Sequence, residues 1–565
     1  MRTVVCLAAA LVGALAVVDC GRVAGRAVDA IENDLVADDA TVRAHATAEL
    51  ADRFPDGAVA VPMLVDLLDD ESPDVVAAAA KSLDSMALDA APLLTEFCAD
   101  RANFSGEKRF GRRMQGLLSL VLFNPRDAFD MFDSTPPAPV TSDGCALAAF
   151  APMEYPPHLR WWRLGAVDAF RRSSGDTRKM AAAALAMFGE DAVAERRIAP
   201  PADPRRVAAA EALVPLLKSD VAVQAYCGAR IARRLRDGGA GVVAALAENL
   251  PAAKAIPASW KEEKSRLVPA AAADALAEIG PAAVAAAPWL NAVVSDPSVD
   301  ADSGVGSDHF FVRCVRALVR IGRESDLRTL LDRNAPNALF LARAAAEGGC
   351  SADLVLPRLV AAAERPDASS DAFLGLLALG AAAKSALPLA KARMRAAEDD
   401  DQRMARAETV LAIVPDDADA ITELDATLNF RDMPARRITE DSFGNARYVL
   451  CRRAAPTPTV LRHLAAGVAP GTSMLDLNTA ADALGRVGPA ARDAVPDLVR
   501  HANYEDHGFE GWRIPDHLAA LVVALGRIGP DASAAVPLLT KLRDGKDEMF
   551  RVVAAQALRR IRAKT

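Results

Sequence analysis

The sequence predicts an all-α protein, a right-handed α-solenoid in which antiparallel helix pairs stack into a superhelix. Three observations carry this expectation. A phrase encoding helix stop, turn and helix start recurs along the chain, its copies fall at a period of 41 to 42 residues, and the composition is rich in alanine and poor in strand-forming runs.

The phrase is clearest near the C-terminus. Ala524-Leu525-Gly526-Arg527-Ile528-Gly529-Pro530 is followed by Ala534-Ala535-Val536-Pro537-Leu538-Leu539. Ala483 to Pro489 is followed by Ala494-Val495-Pro496-Asp497-Leu498, and Ala275 to Pro281 by Ala286-Ala287-Pro288-Trp289-Leu290. Gly380 and Pro388 keep the same glycine-to-proline spacing in a weaker copy. The glycine can take the left-handed conformation that ends a helix. The proline after it cannot continue that helix. The second proline suits the first turn of the next helix, where a missing N–H costs nothing.

The period follows from the distance between copies. Gly488 and Gly529 are 41 residues apart, and Gly280 and Gly322 are 42 apart. A fixed period in this range signals stacked supersecondary units, and at roughly 40–47 residues each the chain accommodates about ten to thirteen.

Composition supports close helix packing. The chain has 565 residues, too many for one compact core. It is 52% hydrophobic but only 5% aromatic, so much of the apolar content is small. Alanine runs such as Ala77 to Ala80, Ala181 to Ala184 and Ala270 to Ala273 supply the residue of best helix propensity.

The last repeat displays both of its helices. Pro537 opens the first, and Asp544-Gly545-Lys546-Asp547 forms a turn. In the second, Phe550, Val553, Ala554, Ala557, Leu558 and Ile561 make one apolar stripe, with Arg551, Gln556 and Arg559 off it. Neither helix buries its apolar face alone, so neighbouring repeats must stack.

These features resemble the HEAT-repeat family, and specifically the bacterial HEAT-like repeats also seen in phycobilisome lyases. Val42-Arg43 with Ala48 and Leu50 matches the second helix of such repeats, as does Val312-Arg313 with Ala317 to Gly322. The likeness covers residues 35–100 and, with gaps, about 176–565. The resemblance implies an α-solenoid and is nearly silent on function, because one fold serves many roles.

The N-terminus reads as a secretory signal peptide over residues 1–27. Met1-Arg2 is a short positive start, Val4 to Val18 an uncharged apolar run, and Gly25 and Ala27 a small-residue cleavage pair. The run is short for a bilayer, so no membrane span is expected in the mature chain. The expected location is exported, in the periplasm or cell envelope of a bacterium. Cys20 follows Asp19 where a lipobox needs a small residue, which disfavours lipid attachment. The remaining domain expectations are N-terminal repeats over 28–100, an irregular insertion over 101–175 and a repeat array over 176–565.

A net charge of −9 disfavours nucleic acid as a partner. Of the eight cysteines, Cys98, Cys145, Cys227, Cys314, Cys350 and Cys451 lie beyond the leader, with no metal-ligand spacing. They read as small buried hydrophobes. A Cys98–Cys145 bridge across the insertion is the open alternative.

Two breaks in the repeat pattern are candidate partner-binding segments. The insertion carries Tyr155, Arg160, Trp161 and Trp162, and Trp and Arg are typical binding hot spots. The stretch His501 to His517 carries Tyr504, His507, Trp512 and Arg513. In both, the competing reading is an ordered structural role.

No histidine is followed by glutamate, as iron-binding HEAT hydroxylases require, and no phosphate loop, nucleophile elbow or zinc signature occurs. No catalytic residue, metal ligand or cofactor is therefore assigned. The expected function is a non-catalytic protein–protein scaffold with a protein partner. The alternative is a lyase-like HEAT enzyme or metal-binding module centred on residues 501–517.

Overall fold

The structure, a computed structural model, describes residues 26–100, 167, 170–171, 174–200, 202–250, 264–295, 307–332, 338–365, 370–397, 399–428, 446, 449–469, 474–503, 515–545 and 548–563. Every regular element among them is helical.

The first repeats comprise α1 (Val28–Asp34), α2 (Ala40–Ala51), α3 (Val61–Leu67) and the long α4 (Pro73–Ala99). After the insertion come α5 (Gly175–Glu195), α6 (Pro204–Glu211), α7 (Val214–Leu217), α8 (Ala222–Leu235) and α9 (Ala240–Glu248). The middle holds α10 (Lys264–Ile279), α11 (Ala287–Val294), α12 (Ser307–Ile321), α13 (Glu324–Asp332), α14 (Ala338–Gly348), α15 (Ala352–Ala363), α16 (Ser370–Leu379), α17 (Leu387–Arg395), α18 (Asp400–Ile413) and α19 (Ala418–Leu428). The C-terminal part is α20 (Pro458–Ala466), α21 (Met474–Val487), α22 (Val495–Ala502), α23 (Pro515–Ile528), α24 (Val536–Arg543) and α25 (Glu548–Arg562). This is the expected solenoid of stacked antiparallel helix pairs.

The repeat phrase behaves as its residues dictate, with one refinement. The link between helices is a seven-residue 3₁₀ helix, seen at Gly280–Ala286, Gly380–Ala386, Gly488–Ala494 and Gly529–Ala535. Its opening residue Gly529 has φ +79°, a conformation costly for any residue with a Cβ. The second proline sits in the first turn of α11, α17, α22 and α24, where its ring is tolerated. Elsewhere side chains cap the helices. Asp39 accepts from the Thr41 N–H at 2.7 Å ahead of α2, and Thr457 from the Val460 N–H at 3.3 Å ahead of α20.

Stacking is continuous. The row α2, α4, α8, α10, α12, α14, α16 and α18 packs each helix on the next, with α5 also seated on α4. The row passes through α19 and α20 to α21, α23 and α25. Small residues let these helices approach. A Cβ added at Gly526 on α23 would fall 2.7 Å from the Ala557 Cα on α25, so only glycine fits there.

The row does not end at α25, which packs against α3. The three residues of α25 that the amphipathic pattern leaves off the stripe all contact the first repeats. Arg551 donates to the Asn33 side chain at 2.6 Å, Gln556 to the Asp66 carbonyl at 3.0 Å, and Arg559 to Asp70 at 3.0 Å. Gln556 is buried as a result. The helical array therefore closes into a circuit, which no feature of the repeat pattern predicts.

One expectation is overturned. The sequence suggests no membrane span in the mature chain. Three continuous helical stretches, Val268–Val294, Ser370–Arg395 and Leu518–Arg543, are nevertheless long and apolar enough to cross a membrane by length and composition. Each consists of a repeat helix, its 3₁₀ link and the following helix, run together with few charges. The separate helices are too short to suggest a span, which is why the sequence pattern conceals it. The most apolar window is 67% buried in the first stretch but only 33% in the second, so Ser370–Arg395 turns most of that window outward.

Candidate functional site

All eight residues expected to bind a partner, Tyr155, Arg160, Trp161, Trp162, Tyr504, His507, Trp512 and Arg513, lie outside the described residues. The structure does show where their segments attach. The insertion leaves the array at Ala99 on α4 and returns ahead of α5, and the second segment joins α22 to α23.

Where the ends of the array meet, an acidic corner between α3 and α4 collects arginines from α2, from α25 and from just beyond α5. Asp70 and Glu71 accept from Arg43 of α2 at 2.7 and 3.1 Å. Both also accept from Arg559 of α25, Asp70 at 3.0 Å. The Asp69 side chain accepts from Arg196, beyond α5, at 2.7 Å, and its carbonyl from Arg560 at 2.6 Å. Arg43 spends its other terminal nitrogen on the carbonyls of Ala37 and Asp38, at 2.9 and 2.8 Å. Arg43 and the Asp70 carboxylate are fully buried, which makes this pair costly to break from one side. The arginine of the Val42-Arg43 motif is thus a structural anchor, and so is Arg313, which pairs with Asp274 of α10 at 2.5 Å.

A second buried charge cluster joins α4, α5, α6 and the end of α8. Asp84 pairs with Arg206, and Glu190 with Arg236. Arg206 also donates to the Leu235 carbonyl at 2.6 Å, and Arg236 to the Ile198 carbonyl at 3.0 Å. Burial pushes the Glu190 carboxyl up to about 7 despite Arg236, and its second oxygen has no hydrogen-bond partner among the described residues.

A cleft lies where the insertion rejoins the array. Asp29 and Glu32 of α1, Asp56, and Arg171 and Arg178 stand around Val28, Val59 and Phe170. Arg178 bonds Asp56 at 3.0 Å and stacks 4.0 Å over the Phe170 ring.

One surface residue was not singled out from sequence. Trp289 on α11 is 45% exposed, and Val284 in the preceding link is also exposed. Its slot, the residue after the second proline, holds Leu389, Asp497 and Leu538 in the other copies and is buried in none of them.

Among the described residues no group of three or more His, Cys, Asp or Glu could hold a metal ion. The residues of the alternative metal site lie mostly outside them.

A family model described as HEAT repeats matches residues 28–105. No curated protein matches the chain. Among solved structures the chain is similar to yeast importin-beta (Kap95p), at 12% identity and a TM-score of 0.40, covering 94% of this chain and 73% of that one. It is similar to a Kap95:Nup1 complex at 13% identity and a TM-score of 0.39, with the same coverage. Human deoxyhypusine hydroxylase in complex with glycerol follows at 17% identity and a TM-score of 0.19, covering 50% of this chain and 99% of that one. Likenesses at these scores carry no argument about function. The match to HEAT repeats covers the N-terminal helix pairs, and the array from Gly175 onward has the same stacked helix-pair architecture.

Proposed function

We propose that this chain is a non-catalytic protein–protein interaction scaffold of the bacterial envelope, exported by its N-terminal leader. The partner contacts would come from Tyr155, Arg160, Trp161 and Trp162 of the insertion together with Tyr504, His507, Trp512 and Arg513.

The observation that carries this reading is the closure of the array. In an open stack, the attachment points of the two segments would belong to opposite ends. In the closed circuit α22 packs on α23, α23 on α25, α25 on α3 and α3 on α4. The two segments therefore leave repeats that are near neighbours around the circuit, as parts of one composite surface would. The leader-like run from Val4 to Val18 supports export.

The test is capture of partners from the envelope fraction of the native host with tagged protein, comparing wild type with Trp161→Ala/Trp162→Ala and with Trp512→Ala. Both variants should lose the same stoichiometric partner while helix content by circular dichroism stays unchanged. If the tryptophan variants unfold or melt far lower, those side chains are core and the surface assignment fails.

A further inference from the structure

Two thiols far apart in sequence lie against each other inside the array. Cys98, in the last turn of α4, and Cys227, in α8, are both completely buried and both free. They lie close enough for the Cys98 thiol to act on that of Cys227. The surrounding backbone fixes this contact. Gln224 stands three residues before Cys227 and so shares its face of α8. Its carboxamide nitrogen donates to the carbonyls of Cys98 and Ala99, each at 2.9 Å. Its oxygen is held by the Ser219 hydroxyl at 2.6 Å. One turn of α8, the turn that carries Cys227, is thereby fastened to the C-terminal turn of α4 at Cys98.

We propose that Cys98 and Cys227 form a disulfide, closed as the chain folds in a thiol-oxidising compartment. The step is thiol–disulfide exchange with a disulfide oxidant, either a small molecule or a protein. One cysteine thiolate attacks the oxidant's S–S bond and releases a first thiol. The second thiolate attacks the mixed disulfide, forming the Cys98–Cys227 bond and releasing a second thiol. Two electrons pass to the oxidant, and the two protons given up by the cysteines end on its released thiols. Burial and then the neighbouring thiol push Cys227 well above the ordinary thiol range, so that thiol is inert once packed and the bond must form during folding. The bond ties α4 to α8 at the point where the insertion leaves the array. It also excludes the Cys98–Cys145 bridge that the sequence leaves open, since Cys98 can join only one partner.

The test uses the full chain refolded in a buffer of oxidised and reduced glutathione. Remaining thiols are alkylated in denaturant and the unreduced digest is read by mass spectrometry. The expected result is a linked peptide pair containing Cys98 and Cys227, with Cys314, Cys350 and Cys451 alkylated. Dithiothreitol should leave the link intact in the folded protein and remove it in denaturant. The denaturation midpoint should fall on full reduction, and Cys98→Ala and Cys227→Ala should each melt below the oxidised wild type. Recovery of both cysteines alkylated, or of Cys98 joined to Cys145, would overturn the proposal, as would a Cys98→Ala midpoint equal to that of the oxidised wild type. The peptide map of the wild type decides the matter even if a variant fails to fold. None of these readouts depends on export or on a partner.

Discussion

Asp70 and Arg559 meet at 3.0 Å although they belong to the first and last repeats of the described array, and the other oxygen of Asp70 is already held by Arg43 at 2.7 Å. The buried ion pair that stabilises the first repeat is therefore also the acceptor that receives the last.

This geometry ranks two substitutions. Arg559→Ala removes its own contacts to Asp70 and Glu71 but leaves Arg43 paired, so it should cost about 1.5–3 kcal/mol, the range for hydrogen bonds to charged groups. Asp70→Asn strips a fully buried arginine of its buried charge partner, leaving it only the more exposed Glu71, and should cost more, about 3–5 kcal/mol. Hydrogen exchange should show both variants losing protection in α25 and in residues 61–71, with α10 to α16 unchanged. Equal effects across the whole chain would contradict a local seam.

Close approach of α23 and α25 gives a second prediction. Gly526→Ala places a Cβ 2.7 Å from the Ala557 Cα, and backbone cannot yield as a flexible side chain does. Overpacking of this kind costs about 1–3 kcal/mol. Gly529→Ala meets no neighbour but is strained by its φ of +79°, at about 1–2 kcal/mol. Chemical denaturation of the two variants measures both costs. Their double mutant should be close to additive, because one effect is packing and the other backbone conformation.

Glu190 predicts a pH dependence. Burial raises its folded-state value from 4.5 to about 7. Between those values the folded chain holds a proton that the unfolded chain has lost. The stability contributed by this group is complete below about 4.5 and is lost as pH rises through 7. The shift corresponds to about 3 kcal/mol. The thermal midpoint should fall between pH 5.5 and pH 8, and Glu190→Gln should flatten that slope. An unchanged slope in the variant would mean that Glu190 is ionised throughout, held by Arg236.

Much of the fold is legible in the sequence because glycine and proline act locally. Gly280, Gly488 and Gly529 end helices and Pro288, Pro496 and Pro537 start them with no help from distant residues. The stripe from Phe550 to Ile561 is likewise buried throughout. What the sequence conceals is long-range. Arg551, Gln556 and Arg559 have the polar character of a solvent-facing edge, and only the return of the chain to Asn33, Asp66 and Asp70 shows that they face protein. The membrane-length stretches are concealed for a related reason, since the glycine and proline that mark separate helices also interrupt each long apolar segment. The site is less legible than the fold. Aromatic and arginine residues in irregular segments mark candidates for binding, but Tyr155 to Trp162 and Tyr504 to Arg513 carry no periodicity that would orient them. The Cys98–Cys227 contact could not be read at all, because no spacing rule pairs cysteines on helices separated by an insertion.

The most direct test of the central claim, closure of the array, is a distance measurement between its ends. Spin labels on Asn33→Cys and Arg551→Cys, in a chain whose other cysteines are replaced by serine or alanine, report the separation by dipolar spectroscopy. The closed circuit predicts a short, narrow distribution that broadens in Asp70→Asn. An open superhelix, at about 10 Å per helix layer, would instead separate the labels by roughly 100 Å and leave no short-distance population. That result would contradict the account.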